Sequence, residues 1–275
     1  MIAPTFRGEM TKQLRRARTY VALGILVVLP IVMTLAVKYG EHGRRGENPD
    51  ALFELARDSG LVMPAAALLF MSRLFLLAVV VALFAGDSVA GEATTGNLRY
   101  VLVRPVARAR LLGAKLGMSF VFIVIATALI VVTGLLAGGI AFGWHRIDID
   151  FGFFALHEST GQLLAHLGIA SVYVAWSMTS VVCLSFMVST MTDSASGAVG
   201  AGVGLYVVSQ ILDAIPQLGR LRYGFPTHYL DAWRELIIRN HASAELVRGV
   251  VVQVPYIIVF SAIAFWWFQR KDITS

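Results

Sequence analysis

Leu116–Trp144 reads LGMSFVFIVIATALIVVTGLLAGGIAFGW and contains no Asp, Glu, Lys, Arg or His. A helix needs roughly 20 apolar residues to cross about 30 Å of hydrocarbon, so this stretch is long enough to span a bilayer. It is not alone. Tyr20–Val37, Leu167–Thr192, Ser194–Leu212 and Gly249–Gln269 are equally free of charge, and Leu61–Gly86 holds only Arg73. The apolar residues are gathered into blocks rather than spread at helical or strand period, which is the mark of segments solvated by lipid. The whole chain is 57% hydrophobic and 15% charged, with a mean hydropathy of +0.72, too apolar for a water-soluble domain of 275 residues.

The expected fold is therefore an all-α integral membrane domain of six spans, at about 20–38, 61–86, 114–142, 166–191, 195–213 and 248–269. The blocks on either side of Asp193 are together too long for one span, so a tight turn around Met191–Ser196 must fold two spans back on each other. The first block follows a basic stretch, as a signal peptide does, but it is longer than a signal core and lacks a small-residue cleavage site, so it reads as an uncleaved first span.

Six spans put both termini on one side. The termini and the connections on their side carry twelve Lys and Arg against five Asp and Glu, and the opposite connections carry ten against twelve. The positive-inside rule then places both termini in the cytoplasm of a plasma membrane. Arg7, Lys12, Arg15, Arg16 and Arg18 precede the first span, and Arg99, Arg104, Arg108, Arg110 and Lys115 crowd the second connection, both suited to an anionic leaflet. Topology thus accounts for the pI near 9.7, and no nucleic-acid partner is expected.

Smaller signals fill in the plan. In Thr5–Thr19, Phe6, Met10 and Leu14 recur every four residues among basic ones, predicting an interfacial amphipathic helix. A short helix is expected near Ala51–Arg57. In Asp213–Arg248, aromatic and aliphatic residues around Tyr229, Trp233 and Leu236 recur at helical spacing after Pro226, predicting one or two short helices at the outer interface. Arg73 lies near the middle of its block, where an isolated charge is costly, so it should face protein, water or a snorkelling route. Two roles stand open for it, a structural partner or a place in a transport pathway. Gly200 and Gly204 have the G-x-x-x-G spacing that allows close helix packing. The single Cys183 excludes an intrachain disulfide and a cysteine-based metal site. His157-Glu158 begins a zinc-protease pattern, but Gly161 stands where its second His belongs.

The second connection carries the most information: Asp87-Ser-Val-Ala-Gly-Glu-Ala-Thr-Thr-Gly-Asn-Leu-Arg-Tyr-Val-Leu, then Pro105 and a basic run ending at Lys115. Leu98, Val101 and Leu102 form an i, i+3, i+4 edge, predicting a short cytoplasmic helix parallel to the membrane within a coupling segment 87–113. Glu92 and Arg99, two turns apart, should share its exposed face.

Here the sequence resembles the membrane-spanning permease subunits of type-2 ATP-binding-cassette (ABC-2) exporters, through Glu92, Gly96, Leu98, Pro105 and Lys115. The ending Phe268-Gln-Arg-Lys-Asp-Ile273 is similar to that family's usual finish. Asn97 departs from the Thr common there. The resemblance implies a permease, not an enzyme, whose coupling segment, with Glu92, Gly96, Leu98, Arg99 and Pro105, docks on a separate cytoplasmic ATPase. ATP and Mg would be bound on that partner, with no cofactor on this chain, and a second permease chain, the same or similar, would complete the pathway within membrane lipid. The sequence holds no G-x-x-x-x-G-K-[ST] phosphate loop. The alternative expectation is an ATP-independent secondary transporter, which would need ionisable groups at mid-membrane.

Overall fold

The computed structural model describes residues 8, 10, 11, 13, 16–40, 51–94, 108–144, 147–151, 154–239 and 243–270. Its helices are α1 (Ala17–Tyr39), α2 (Ala51–Asp58), α3 (Met63–Arg73), α4 (Leu76–Thr94), α5 (Arg108–Phe142), α6 (Thr160–Ser177), α7 (Thr179–Met191), α8 (Ala195–Asp213), α9 (Arg234–Arg239) and α10 (Ala244–Arg270). Six helical stretches are long and apolar enough to cross a membrane: α1, α4, α5, α6 with α7, α8 and α10. The chain is thus a multi-pass helical membrane protein, and the six-span reading holds at that level.

The polar side chains within these helices bond mostly to their own backbone. Thr34 donates to the Pro30 carbonyl, Ser119 to Lys115 and Ser177 to Tyr173. Such back-bonding lets hydroxyls enter hydrocarbon without a water partner. α4 is the most enclosed of the six and packs on α5, α7 and α8. Phe84 of α4 stacks on Phe122 of α5 at 4.4 Å between ring centroids. On the outside, Val28, Val132, Ile140 and Val172 stand exposed, as lipid-facing residues should.

The second span departs from expectation. The Leu61–Gly86 block is not one helix, because α3 ends at Arg73 and Phe75 takes a positive φ of 51° before α4 begins. Neither Pro nor Gly causes the break. Tertiary contacts hold it: the Tyr206 hydroxyl of α8 donates to the Ser72 carbonyl, and Arg73 reaches Asp231. Arg73 therefore sits at a helix end, 47% exposed, rather than in the middle of a span. α3 is still enclosed, and Gly60 just before it meets Gly138 of α5 so closely that a Cβ on either would strike the other's carbonyl.

Other boundaries also move. α5 begins at Arg108, and the fourth span runs from Thr160 to Met191 with a local interruption at Met178, which closes α6 and opens α7. Ile147–Phe151 and Phe154–Glu158 form an antiparallel hairpin, β1 and β2, pairing Ile147 with Glu158 and Phe151 with Phe154, a small addition to an otherwise helical fold. The I-D-I-D-F alternation of β1 is the period of a strand. His157 and Glu158 lie in β2. The expected helix near Ala51 is present as α2, with Leu52, Leu55 and Ala56 buried.

The segment between α8 and α10 is divided: Pro216–Gly224 has no buried residue, whereas the stretch that follows it packs into the bundle. Tyr229, Leu230, Trp233, Leu236 and Ile237 are buried, with Trp233 fully enclosed. Its irregular backbone is satisfied from within the bundle: Tyr173 of α6 donates to the Tyr229 carbonyl at 2.6 Å, and Gln253 of α10 donates to that of Pro226 at 2.7 Å. Non-helical backbone is tolerated beside spans only where protein satisfies it in this way.

Candidate functional site: an ionic junction at the end of α4

The starts of α1 and α5, the ends of α4 and α10 and the α7–α8 turn meet at one end of the bundle. Arg108 donates to the Gln269 carbonyl, and Thr94 to that of Asp193. Asp87 to Thr94, expected to open a separate surface helix, are instead the last two turns of α4, and most of this face is buried. The reason is charge pairing. Asp87 is 2% exposed and accepts from Arg16 and, at 2.6 Å, from Arg18. Gly91, one turn on, leaves the space that this carboxylate fills, since a Cβ there would collide with it.

Glu92 is likewise inside the chain, not on an exposed face. Lys115 of α5 approaches its carboxylate at 2.8 Å and donates to the Ser88 carbonyl at 2.7 Å, with both side chains more than nine-tenths buried. Burying an unpaired ammonium or carboxylate is prohibitive, whereas a hydrogen-bonded pair can be enclosed. Across α4, Ser189 of α7 donates to the Gly86 carbonyl at 2.6 Å and accepts from the Ala90 amide at 2.9 Å. The serine thereby enters the α4 hydrogen-bond ladder, a recognised cause of local bending. The end of α4 is keyed to α1 by Asp87, to α5 by Glu92 and to α7 by Ser189.

Gly96, Leu98, Arg99 and Pro105 lie outside the described residues, so the junction is the root of the expected coupling segment. Of the basic leader, Gly8, Met10, Thr11 and Gln13 are helical, and the extended backbone of Arg16 directly precedes α1. Among the described residues no atom lies near a Cβ added at Gly200 or Gly204; the small residues of α8 that pack are Ala198, against Gly86 of α4, and Gly202, against Ser185 of α7. Among the described residues no cluster of three or more His, Cys, Asp or Glu could hold a metal ion.

At the opposite end, Arg73 joins a second polar group. Its Nε and NH2 contact one oxygen of Asp231 at 2.7 and 2.5 Å. These two residues, with Gln210, Asp213, Thr227 and His228, line a polar vestibule of about 420 Å³. Asp213 binds His228 and, at 3.4 Å, Arg222. The sequence reading missed Asp87, Lys115 and Asp231 as partners. A signal existed for Lys115, the last charge before a long uncharged run, which had to be paired if it was to be enclosed.

No curated protein matches this chain. A family model described as "Protein of unknown function (DUF2705)" matches residues 50–274, which takes in every span except α1 and, of the ionic junction, all but Arg16 and Arg18. The chain belongs to the DUF2705 family.

Proposed function

We propose that this chain is the permease subunit of an ABC-2-type exporter in the plasma membrane, with both termini cytoplasmic. It forms the substrate pathway with a second permease chain, and a separate ATPase binds ATP and Mg. The observation that carries this reading is the junction at the root of 95–107. The segment that resembles an ABC-2 coupling element continues directly from α4, and Asp87, Glu92 and Ser189 fasten that helix to α1, α5 and α7. A push on the segment would thus be delivered to several spans at once. Glu92 acts in this scheme as a positioning residue that transmits the push through Lys115.

The test is affinity capture of the full chain from its native membrane, followed by ATPase assay. Co-purification of a nucleotide-binding subunit, with hydrolysis that neither chain shows alone, is expected. A chain that transports in liposomes without any partner would favour the ATP-independent reading. That second reading draws on one observation, the ionisable vestibule around Arg73 and Asp231. For orientation, a cysteine introduced at Ser275 should resist an impermeant thiol reagent in intact cells; labelling would reverse the topology.

A further inference from the structure

The last two turns of α4 are tied to their neighbours in two different ways. Toward α1 and α5 the contacts are ionic: Asp87 with Arg16 and Arg18, and Glu92 with Lys115. Toward α7 and the α7–α8 turn they are hydroxyl contacts. Ser189 donates to the Gly86 carbonyl at 2.6 Å and accepts from the Val89 and Ala90 amides at 3.2 and 2.9 Å. Thr94 donates to the Asp193 carbonyl at 2.7 Å.

Release has a different cost for each kind. Asp87 and Glu92 are buried, and parting them from their cations would strand charges inside the protein. The hydroxyl contacts have substitutes. The Val89 and Ala90 amides follow the Ala85 and Gly86 carbonyls by four residues within a continuous helix, so each can bond its own helix instead. The Ser189 hydroxyl, once released, can turn to the carbonyl four residues before it, as Ser119 and Ser177 do in their helices. Thr94 already lies between two acceptors, the Ala90 carbonyl at 2.8 Å and that of Asp193, and its one proton serves one of them at a time. Exchange of this kind orphans no buried backbone group. Gly86 also presents bare backbone to Ala198 and Val199 of α8, so it has no side chain to interlock with them.

We propose that Ser189 is the pin of a slip joint. The end of α4, from Asp87 to Thr94, moves with α1 and α5 and slides past α7 and the α7–α8 turn, while its amides pass between the Ser189 hydroxyl and the carbonyls of α4 itself. Two arrangements with equal numbers of hydrogen bonds form a bistable element, the kind that a small displacement can switch. A push at the root of 95–107 then shifts α1 and α5 against α7 and α8 instead of moving the bundle as one body. That last step rests on the permease reading; the joint itself does not.

The test is a pair of spin-label distance measurements by electron double resonance on the full chain in lipid nanodiscs. One label is placed at Ala93→Cys, and the other at Val208→Cys on α8 or Val124→Cys on α5; both valines are more than half exposed, and the native Cys183 is buried away from the label. Expected are two populated distances for the α4–α8 pair and one for the α4–α5 pair. In Ser189→Ala the α4–α8 pair should collapse to one distance, because the Val89 and Ala90 amides are left with only their own carbonyls. A single α4–α8 distance in the chain with Ser189 intact, two distances that persist in Ser189→Ala, or equal spread in both pairs would overturn the proposal. The comparison of the two pairs uses Ser189 as it stands, so it holds even if the alanine variant fails to fold. No nucleotide or ATPase enters the measurement, so failure here and failure of the permease reading are distinguishable.

Discussion

Two ion pairs of the same chemistry sit at opposite ends of this bundle, and their surroundings set them apart. Lys115 and Glu92 are 3% and 7% exposed and reach each other between helices; Arg73 and Asp231 are 47% and 30% exposed beside a cavity. Removing one partner from a buried pair strands a charge and costs about 3–5 kcal/mol, whereas an exposed pair contributes a median of about 0–1 kcal/mol. The first pair is therefore an assembly device. The second is cheap to open.

The sharpest way to break that contrast is Lys115→Met. It should destabilise the chain by about 3–5 kcal/mol in detergent, read as loss of the monodisperse peak after mild heating. Adding Glu92→Leu should recover much of this, because no charge is then left buried. If the single variant is as stable as wild type, the junction is not the anchor described. Next in size, Asp87→Asn loses charge-assisted bonds to Arg16 and Arg18 at a cost of about 1.5–3 kcal/mol. Faster protease cleavage near the start of α1 would be its signature.

Arg73→Leu should cost no more than about 1 kcal/mol, since water already screens the pair. The same variant separates the two roles left open for Arg73: normal assembly with lost transport marks a pathway residue, and failed assembly marks a structural one. Smallest of all is the effect of salt. Raising ionic strength from about 0.1 to 1 M shortens the screening length from about 10 to 3 Å. Accessibility of a cysteine placed at Asp231 neighbour Leu230 should rise, while heat stability set by Lys115 and Glu92 should hardly change.

Most of the architecture was legible because lipid imposes its demands locally: each span must be long, uncharged and self-bonded, and that is written in consecutive residues. The break at Leu74–Phe75 was not. Both residues are apolar and neither forbids a helix, so the sequence carries no stop signal; Tyr206 and Asp231, far along the chain, impose it. Glu92 shows the same limit. Its polarity and its spacing from Arg99 suited an exposed face, and only the fold brings Lys115 opposite it. The burial of the stretch from Tyr229 to Ile237 was half visible, since the Tyr229–Trp233–Ile237 spacing gave an apolar face without saying what it would be pressed against. Gly200 and Gly204 were legible as a close-packing pattern, yet within α8 the glycine in close contact with a neighbouring helix is Gly202.

The length of α5 has a further consequence, for the membrane itself. From Leu116 to its end at Phe142 it presents about 40 Å of uncharged helix, against a hydrocarbon thickness of about 30 Å. Such an excess is relieved by tilt or by local thickening of the bilayer. α4, antiparallel to it, is shorter and ends in buried charges. Two neighbours with unequal hydrophobic lengths make bilayer thickness a variable that bears on their relative slope, and thicker, sterol-like or long-chain bilayers would hold α5 more upright against α4 than thin ones.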